Sequence, residues 1–179
     1  MTSKPGAFSM TQDPSKNAAV PILSAAGIQP EIAETAIPDD PRVWVPQADR
    51  VWFRPLLFNT VSGGWCNLLK VTKAGVLSRH RHPMVVVGYV IRGSWRYLEH
   101  DWVARAGTFV YEPPGEVHTL VVDEGEEMIT FFNIQGAMIY VDERGEPTSY
   151  EDVFTKIEMC RRHYKAVGLG EEYLRRFIR

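Results

Sequence analysis

Beyond Val51 the apolar residues fall in short runs broken by turn formers, which is the pattern of β-strands. The runs cover residues 51–58, 65–71, 85–92, 95–98, 102–104, 108–111, 119–122 and 128–140, and one more strand carries His80 and His82. Turn residues separate them at Ser62-Gly63-Gly64, Gly93, Glu99-His100-Asp101, Gly107, Pro113-Pro114-Gly115, Asp123-Glu124-Gly125 and Gly136. Pro55 has no N–H to give to a ladder, so it marks an edge or a bulge. Many short strands at close spacing predict an all-β sandwich or barrel and not alternating βαβ units.

Past Pro147 the period changes. Val153, Ile157, Cys160, Tyr164 and Val167 recur at three- and four-residue spacing, which makes one face of a helix. Ser149 followed by Asp152 reads as the helix start, Gly168 as its end, and residues 171–178 can form a second short helix. At the other end, residues 1–30 are rich in Ser, Ala, Pro and Gly and keep no period. Pro38, Pro41 and Pro46 then hold an extended path, with Trp44 and Trp52 as large apolar anchors for the arm. The expected organisation is an extended N-terminal arm over 1–37, a β-barrel over 38–146, and a helical segment over 147–179 packed on the barrel.

Composition narrows the function. A chain of 179 residues suits one domain with a substantial core. A formal net charge of −2 argues against nucleic-acid and polybasic membrane partners. No apolar run approaches the ~20 residues needed to span a bilayer, so a cytoplasmic location is expected. Cys66 and Cys160 are expected to be reduced thiols, since neither sits in a Cys-x-x-Cys pair.

The candidate chemistry lies between Gly75 and Val122. Side chains alternate across a strand, so His80 and His82 share one face while Arg79 and Arg81 share the other. Pro113 ends a strand, Gly115 permits a tight turn, and His118 opens the returning strand. Packed beside the first segment, this hairpin could set one imidazole opposite the other two. Imidazole suits Fe, Zn, Ni, Cu and Mn. Any one of these histidines alone would read as a satisfied barrel residue; the three together read as a metal site.

These segments resemble the two motifs of the cupin superfamily. His80-x-His82 with Gly93 matches the first, and Gly107, Pro113, Gly115 and His118 match the second. Gly75 stands one residue nearer His80 than the pattern asks, and thirteen residues separate Gly93 from Gly107. Two positions depart from it: Val86 stands at the place of the motif glutamate and Val122 at that of the asparagine. The resemblance implies a single double-stranded β-helix (jelly-roll) barrel, all-β apart from its C-terminal helices, with His80, His82 and His118 as metal ligands and no motif carboxylate. Glu99 is a weak substitute fourth ligand.

A closer resemblance over roughly residues 38–179 rests on Trp44-Val45-Pro46, on the run from Trp95 to Trp102, on Tyr111-Glu112-Pro113-Pro114-Gly115, and on the tail from Tyr173 to Arg179. It is to the 2,4'-dihydroxyacetophenone dioxygenase family. That resemblance implies a non-haem Fe(II) enzyme, with Zn, Ni or Mn as alternative metals. The enzyme would use O2 to cleave a small aromatic α-hydroxyketone to 4-hydroxybenzoate and formate. The alternatives are a non-catalytic zinc sensor or regulatory cupin and a metal-dependent isomerase. A homodimer or homotetramer is expected on the same ground.

Glu112 and Glu116 flank the second motif and are equally weak candidates for acid–base work or for contacts to the ligands. Trp95, Tyr97 and Tyr89 are candidates for an aromatic substrate pocket. Trp95, Tyr97 and Glu99 share one face by alternation, and which face looks inward is left open by the sequence.

Overall fold

The computed structural model describes residues 29–35, 37–125 and 127–179. The arm expected over 1–37 falls for the most part outside the described residues. Among the described residues, twelve strands and two α-helices follow a 3-10 turn at Pro41–Val43: β1 (Val45–Ala48), β2 (Val51–Asn59), β3 (Gly64–Val71), β4 (Gly75–Arg81), β5 (Val86–Arg92), β6 (Ser94–Tyr97), β7 (Ala104–Arg105), β8 (Phe109–Glu112), β9 (Val117–Val122), β10 (Met128–Ile134), β11 (Ala137–Val141), β12 (Pro147–Asp152), α1 (Val153–Ala166) and α2 (Gly170–Arg175).

The strands make two six-stranded sheets, in the orders β1-β2-β3-β10-β5-β8 and β12-β11-β4-β9-β6-β7. Every pairing in them is antiparallel. This is a jelly-roll arrangement, as the resemblance implies. Alternation sorts each strand between the two faces. On β10, Met128, Phe132 and Ile134 enter the main core with Phe58, Trp65 and Trp95. Ile129 faces the other way and packs with Trp44 and Leu68 in a smaller cluster on the opposite face of its sheet. Trp44 is thus a buried anchor against the barrel, and the Lys70 ammonium lies 4.1 Å over its ring.

Two local readings change, and that of Pro55 resolves to a bulge. The run 128–140 is two strands, β10 and β11, which belong to different sheets; the chain crosses between them at Gly136, whose φ of 74° suits glycine. Pro55 lies inside a sheet on β2, where the register with β3 shifts between Pro55 and Leu57, so its missing donor is absorbed by a bulge. Ser149 does not begin the helix. Residues 147–152 are β12, paired with β11, and Asp152 is the N-cap: its carboxylate accepts from Thr155 N while Thr155 Oγ1 accepts from Asp152 N.

The apolar face of α1 is buried as its period demands, through Val153, Ile157, Cys160 and Tyr164. Lys156 is buried among them, a position that the period does not foretell. The tail closes on β2: Phe58 N donates to Phe177 O at 2.7 Å and Arg179 N to Phe58 O at 2.8 Å. Cys66 and Cys160 are both free thiols. No helix among the described residues is long and apolar enough to cross a membrane.

Candidate metal centre

The register of the second sheet builds the site. His80 on β4 pairs directly with His118 on β9 and, on its other side, with Tyr140 on β11. Residues directly opposite in neighbouring strands point to the same face, so all three side chains enter the barrel. His82, two residues beyond His80, keeps that face. Its carbonyl accepts from Gly115 N at 2.7 Å, which ties the first histidine segment to the Pro113–Gly115 turn. Gly115 holds φ of 88° there, open to glycine and strained for other residues.

The ring centroids of His80 lie 4.9 Å from His82 and 4.7 Å from His118. One nitrogen from each of the three falls within 4.8 Å of the others, and all three residues are buried. Ser78 Oγ stands 3.0 Å from His80 Nδ1, so that nitrogen has a partner and Nε2 is the one left for a ligand role. Tyr97 stacks flat on His118, with centroids 3.9 Å apart and planes 2° from parallel.

A fourth group joins them. Val86, at the place of the motif glutamate, is the register partner of Glu112 on β8. The Glu112 carboxylate therefore enters the barrel beside the position that Val86 leaves apolar. Glu112 is 3% exposed, and its Oε2 stands 3.4 Å from His82 Nε2 and 3.6 Å from His118 Nε2.

The electrostatics suit a cation. Neither oxygen of Glu112 has a hydrogen-bond partner, nor does either ring nitrogen of His118 or Nδ1 of His82. Buried polar atoms are rarely left so in proteins. A buried carboxylate and three imidazoles around one point fit a divalent transition metal, and the three histidines could hold one. Burial, then the neighbouring His82 and His118, push His80 well below the ordinary imidazole value. Burial likewise pushes His118 down to about 4, against the pull of Glu112. Both rings are neutral near pH 7, so no proton need leave them before a metal binds. Burial and then Glu112 hold the Tyr97 phenol well above its usual range, so it stays protonated.

The remaining sequence candidates fall elsewhere. Glu99 turns away from the cluster: its two oxygens accept from Thr119 N at 2.7 Å and Thr119 Oγ1 at 2.8 Å. Burial would raise that carboxyl, and the bonds from Thr119 outweigh it and lower it. Glu116 pairs with His100 at 3.0 Å. His163, outside the barrel, contacts Arg42 O at 2.9 Å. Tyr97 lines the cavity, whereas Trp95 is a fully buried core residue behind it, with ring centroids 5.1 Å apart. Tyr89 lies on the outward face of β5, 48% exposed, because alternation puts Gly88 and Val90 inward and Tyr89 outward.

His80 and His82 stand in the wall of a cavity of about 360 Å³. That size suits a small ligand of one ring. Its walls also include Gln47, Tyr140, Glu151 and Lys156, none of which the sequence marked out. Ser78 could have been found, since it lies two residues before His80 on the same face.

A family model described as the ChrR cupin-like domain matches residues 33–139. The chain belongs to this cupin family. Among solved structures it is 34% identical to an RmlC-like cupin protein from Ralstonia eutropha JMP134, over 70% of this chain and 83% of that one, with a TM-score of 0.67. It also shares its fold with an acetylacetone dioxygenase from Acinetobacter johnsonii, 12% identical over 74% of this cupin and 95% of that chain, TM-score 0.62. No curated protein matches the sequence.

Proposed function

We propose that this cupin is an Fe(II)-dependent dioxygenase that cleaves the bond between the carbonyl and hydroxymethyl carbons of a small aromatic α-hydroxyketone. The observation that carries the reading is the meeting of three buried imidazoles beside a one-ring cavity that two of them, His80 and His82, line. The resemblance of the sequence to 2,4'-dihydroxyacetophenone dioxygenases supports it, as does the shared fold with a protein named acetylacetone dioxygenase.

His80, His82 and His118 would hold the metal, with Glu112 beside them. Bound iron would supply Lewis acidity towards the two oxygens of the ketone and a place for O2. The three imidazole ligands carry no charge, so Glu112 alone offsets the metal's and a chelating anion is still favoured. The chain's own groups supply the rest. Glu112, a buried carboxylate beside the Tyr97 phenol, would accept the proton that the hydroxyketone gives up on forming its enolate. Tyr97 fixes the plane of His118 by stacking. The apolar walls, Leu120, Phe132 and Ile134 among them, exclude water from the ring. The reaction balances as ketone plus O2 giving 4-hydroxybenzoate plus formate, with both oxygen atoms retained in the two acids.

Oxygen uptake by the Fe(II)-loaded protein on addition of 2,4'-dihydroxyacetophenone tests this directly. One O2 consumed per formate and 4-hydroxybenzoate formed is the expected result. No uptake, with iron verified on the protein, rejects the activity on this ketone.

A second reading is a non-catalytic metal sensor that holds zinc in the same three histidines, and the match to the ChrR cupin-like domain accords with it as well as with an enzyme. That reading expects tightly retained zinc and no oxygen uptake with any ketone.

A further inference from the structure

The cavity that reaches the histidines has a second polar wall, built from four separate elements: Gln47 of β1, Tyr140 of β11, Glu151 of β12 and Lys156 of α1. Lys156 is only 2% exposed. Its ammonium stands 2.7 Å from Glu151 Oε2, donates to Gln47 Oε1 at 3.0 Å and lies 4.3 Å over the Phe53 ring. Gln47 Nε2 in turn reaches the Tyr140 hydroxyl and Glu151 Oε2, each at 3.3 Å. Tyr140 connects this wall to the metal centre. It is the register partner of His80, and their ring centroids are 6.3 Å apart.

Burying an ammonium and a carboxylate costs several kcal/mol of desolvation before their attraction offsets it. Packing alone does not call for that cost, since α1 fills neighbouring positions with Val153, Ile157 and Cys160. The charges also say what such a wall can read. Lys156 is cancelled by Glu151, and its donors are committed to Glu151, Gln47 and the Phe53 ring. A carboxylate or phosphate arriving there would meet the charge of Glu151, and the one further donor of the wall, the Tyr140 hydroxyl, is drawn to that same carboxylate. A neutral hydroxyl would meet an acceptor: Lys156 and Gln47 both fall on Glu151 Oε2, the Tyr140 hydroxyl is also drawn to the carboxylate, and its roughly four lone-pair sites leave one for a ligand.

We propose that Glu151, held in place by Lys156 and Gln47, is a specificity-determining residue that accepts a hydrogen bond from an uncharged hydroxyl at the far end of the ligand. The ligand is then a one-ring molecule with a metal-chelating end and a neutral hydroxyl end, and tails bearing an anion are rejected. The proposal rests on the chelating reading of the metal centre given above.

The test is calorimetric binding to the metal-loaded protein without oxygen, so that nothing turns over. Three ligands are compared: 2-hydroxyacetophenone, 2,4'-dihydroxyacetophenone, and the analogue with a carboxylate in place of the ring hydroxyl. The hydroxylated ketone is expected to bind about tenfold more tightly than the unsubstituted one, as suits a hydrogen bond to a charged acceptor, and the carboxylate analogue most weakly. Glu151→Gln should bring the tenfold preference close to one while 2-hydroxyacetophenone keeps its affinity within about twofold. That variant strips Lys156 of its counter-ion, so Gln47→Leu, which leaves the ion pair in place, is the second variant should the first not fold; it should shrink the preference as well. Equal binding of the first two ketones to the unmodified protein overturns this proposal and leaves the chelating metal centre standing. Tightest binding of the carboxylate analogue also overturns it, and would point to Lys73, another cation in the cavity wall. Binding of none of the three overturns the chelating reading and this proposal together.

Discussion

Val86 and Glu112 are register partners across β5 and β8, and both side chains face the barrel interior. The cupin motif places a carboxylate at the first of these positions, and this chain carries it at the second. The substitution of an apolar residue for the motif glutamate therefore does not leave the centre without an acid. It moves the acid to the adjacent strand, onto the His82 and His118 side of the trio.

Glu112→Gln separates a ligand role from a proton-accepting one. The amide keeps the shape and removes the basic oxygen. Metal content, read by elemental analysis, should stay near one per chain because the three imidazoles remain, while turnover of a hydroxyketone should fall on the order of a hundredfold, as for loss of a general base. Loss of the metal in this variant would instead make Glu112 a ligand.

Removal of a histidine should act on the metal first. His80→Ala and His118→Ala are each expected to weaken metal binding by at least roughly a hundredfold, since loss of an outer partner of a ligand alone costs 10–100-fold. His163→Ala, outside the barrel against Arg42 O, should leave the metal content unchanged. Full occupancy in His118→Ala would refute the three-histidine centre.

The metal-free protein should lose stability on mild acidification. His80 and His118 have folded-state values below the ordinary 6.5, His118 at about 4. Below pH 6.5 the unfolded chain takes up protons that the folded site refuses. The stability is therefore fully present above about 6.5 and is lost as pH falls towards 4. For His118 the gap of 6.5 to about 4 corresponds to about 3 kcal/mol. Urea unfolding at pH 7 and pH 4.5 measures it, and the difference should shrink in His118→Asn. A flat profile between those values would show that the imidazoles are not held neutral by burial.

Lys156→Met should destabilise the fold by about 3 kcal/mol, because it leaves Glu151 mostly buried and without its cation. Lys156→Met combined with Glu151→Gln should recover most of that loss, since no buried charge then remains. Equal destabilisation in the single and double variants would mean that packing at Lys156, and not the ion pair, sets the cost.

Much of the metal centre was legible along the chain. Strand alternation put His80 and His82 on one face, the Pro113–Gly115 turn announced the hairpin that returns His118, and the period of Val153, Ile157, Cys160 and Tyr164 announced α1. Each of these is local: a two-residue or roughly four-residue repeat, or a turn whose backbone demands a glycine. The β-class of the fold was legible for the same reason.

Tertiary structure alone decided the rest. Glu112, Glu116 and Glu99 read alike in the sequence, as acids near turns. Register against Val86 turns the first inward, whereas Glu116 and Glu99 find partners in His100 and Thr119. Tyr89 and Tyr97 were alike too, and the face of the sheet on which each lies parts them. Lys156 and Glu151 carry no local sign of burial, because a lysine on a helix is ordinarily solvated and β12 was not foreseen. Their cations and anions are brought together with Gln47, more than a hundred residues away in the chain. Local patterns determine which elements form and which way their side chains alternate. Which charges those elements then bury against one another depends on long-range register, and no short stretch of sequence contains it.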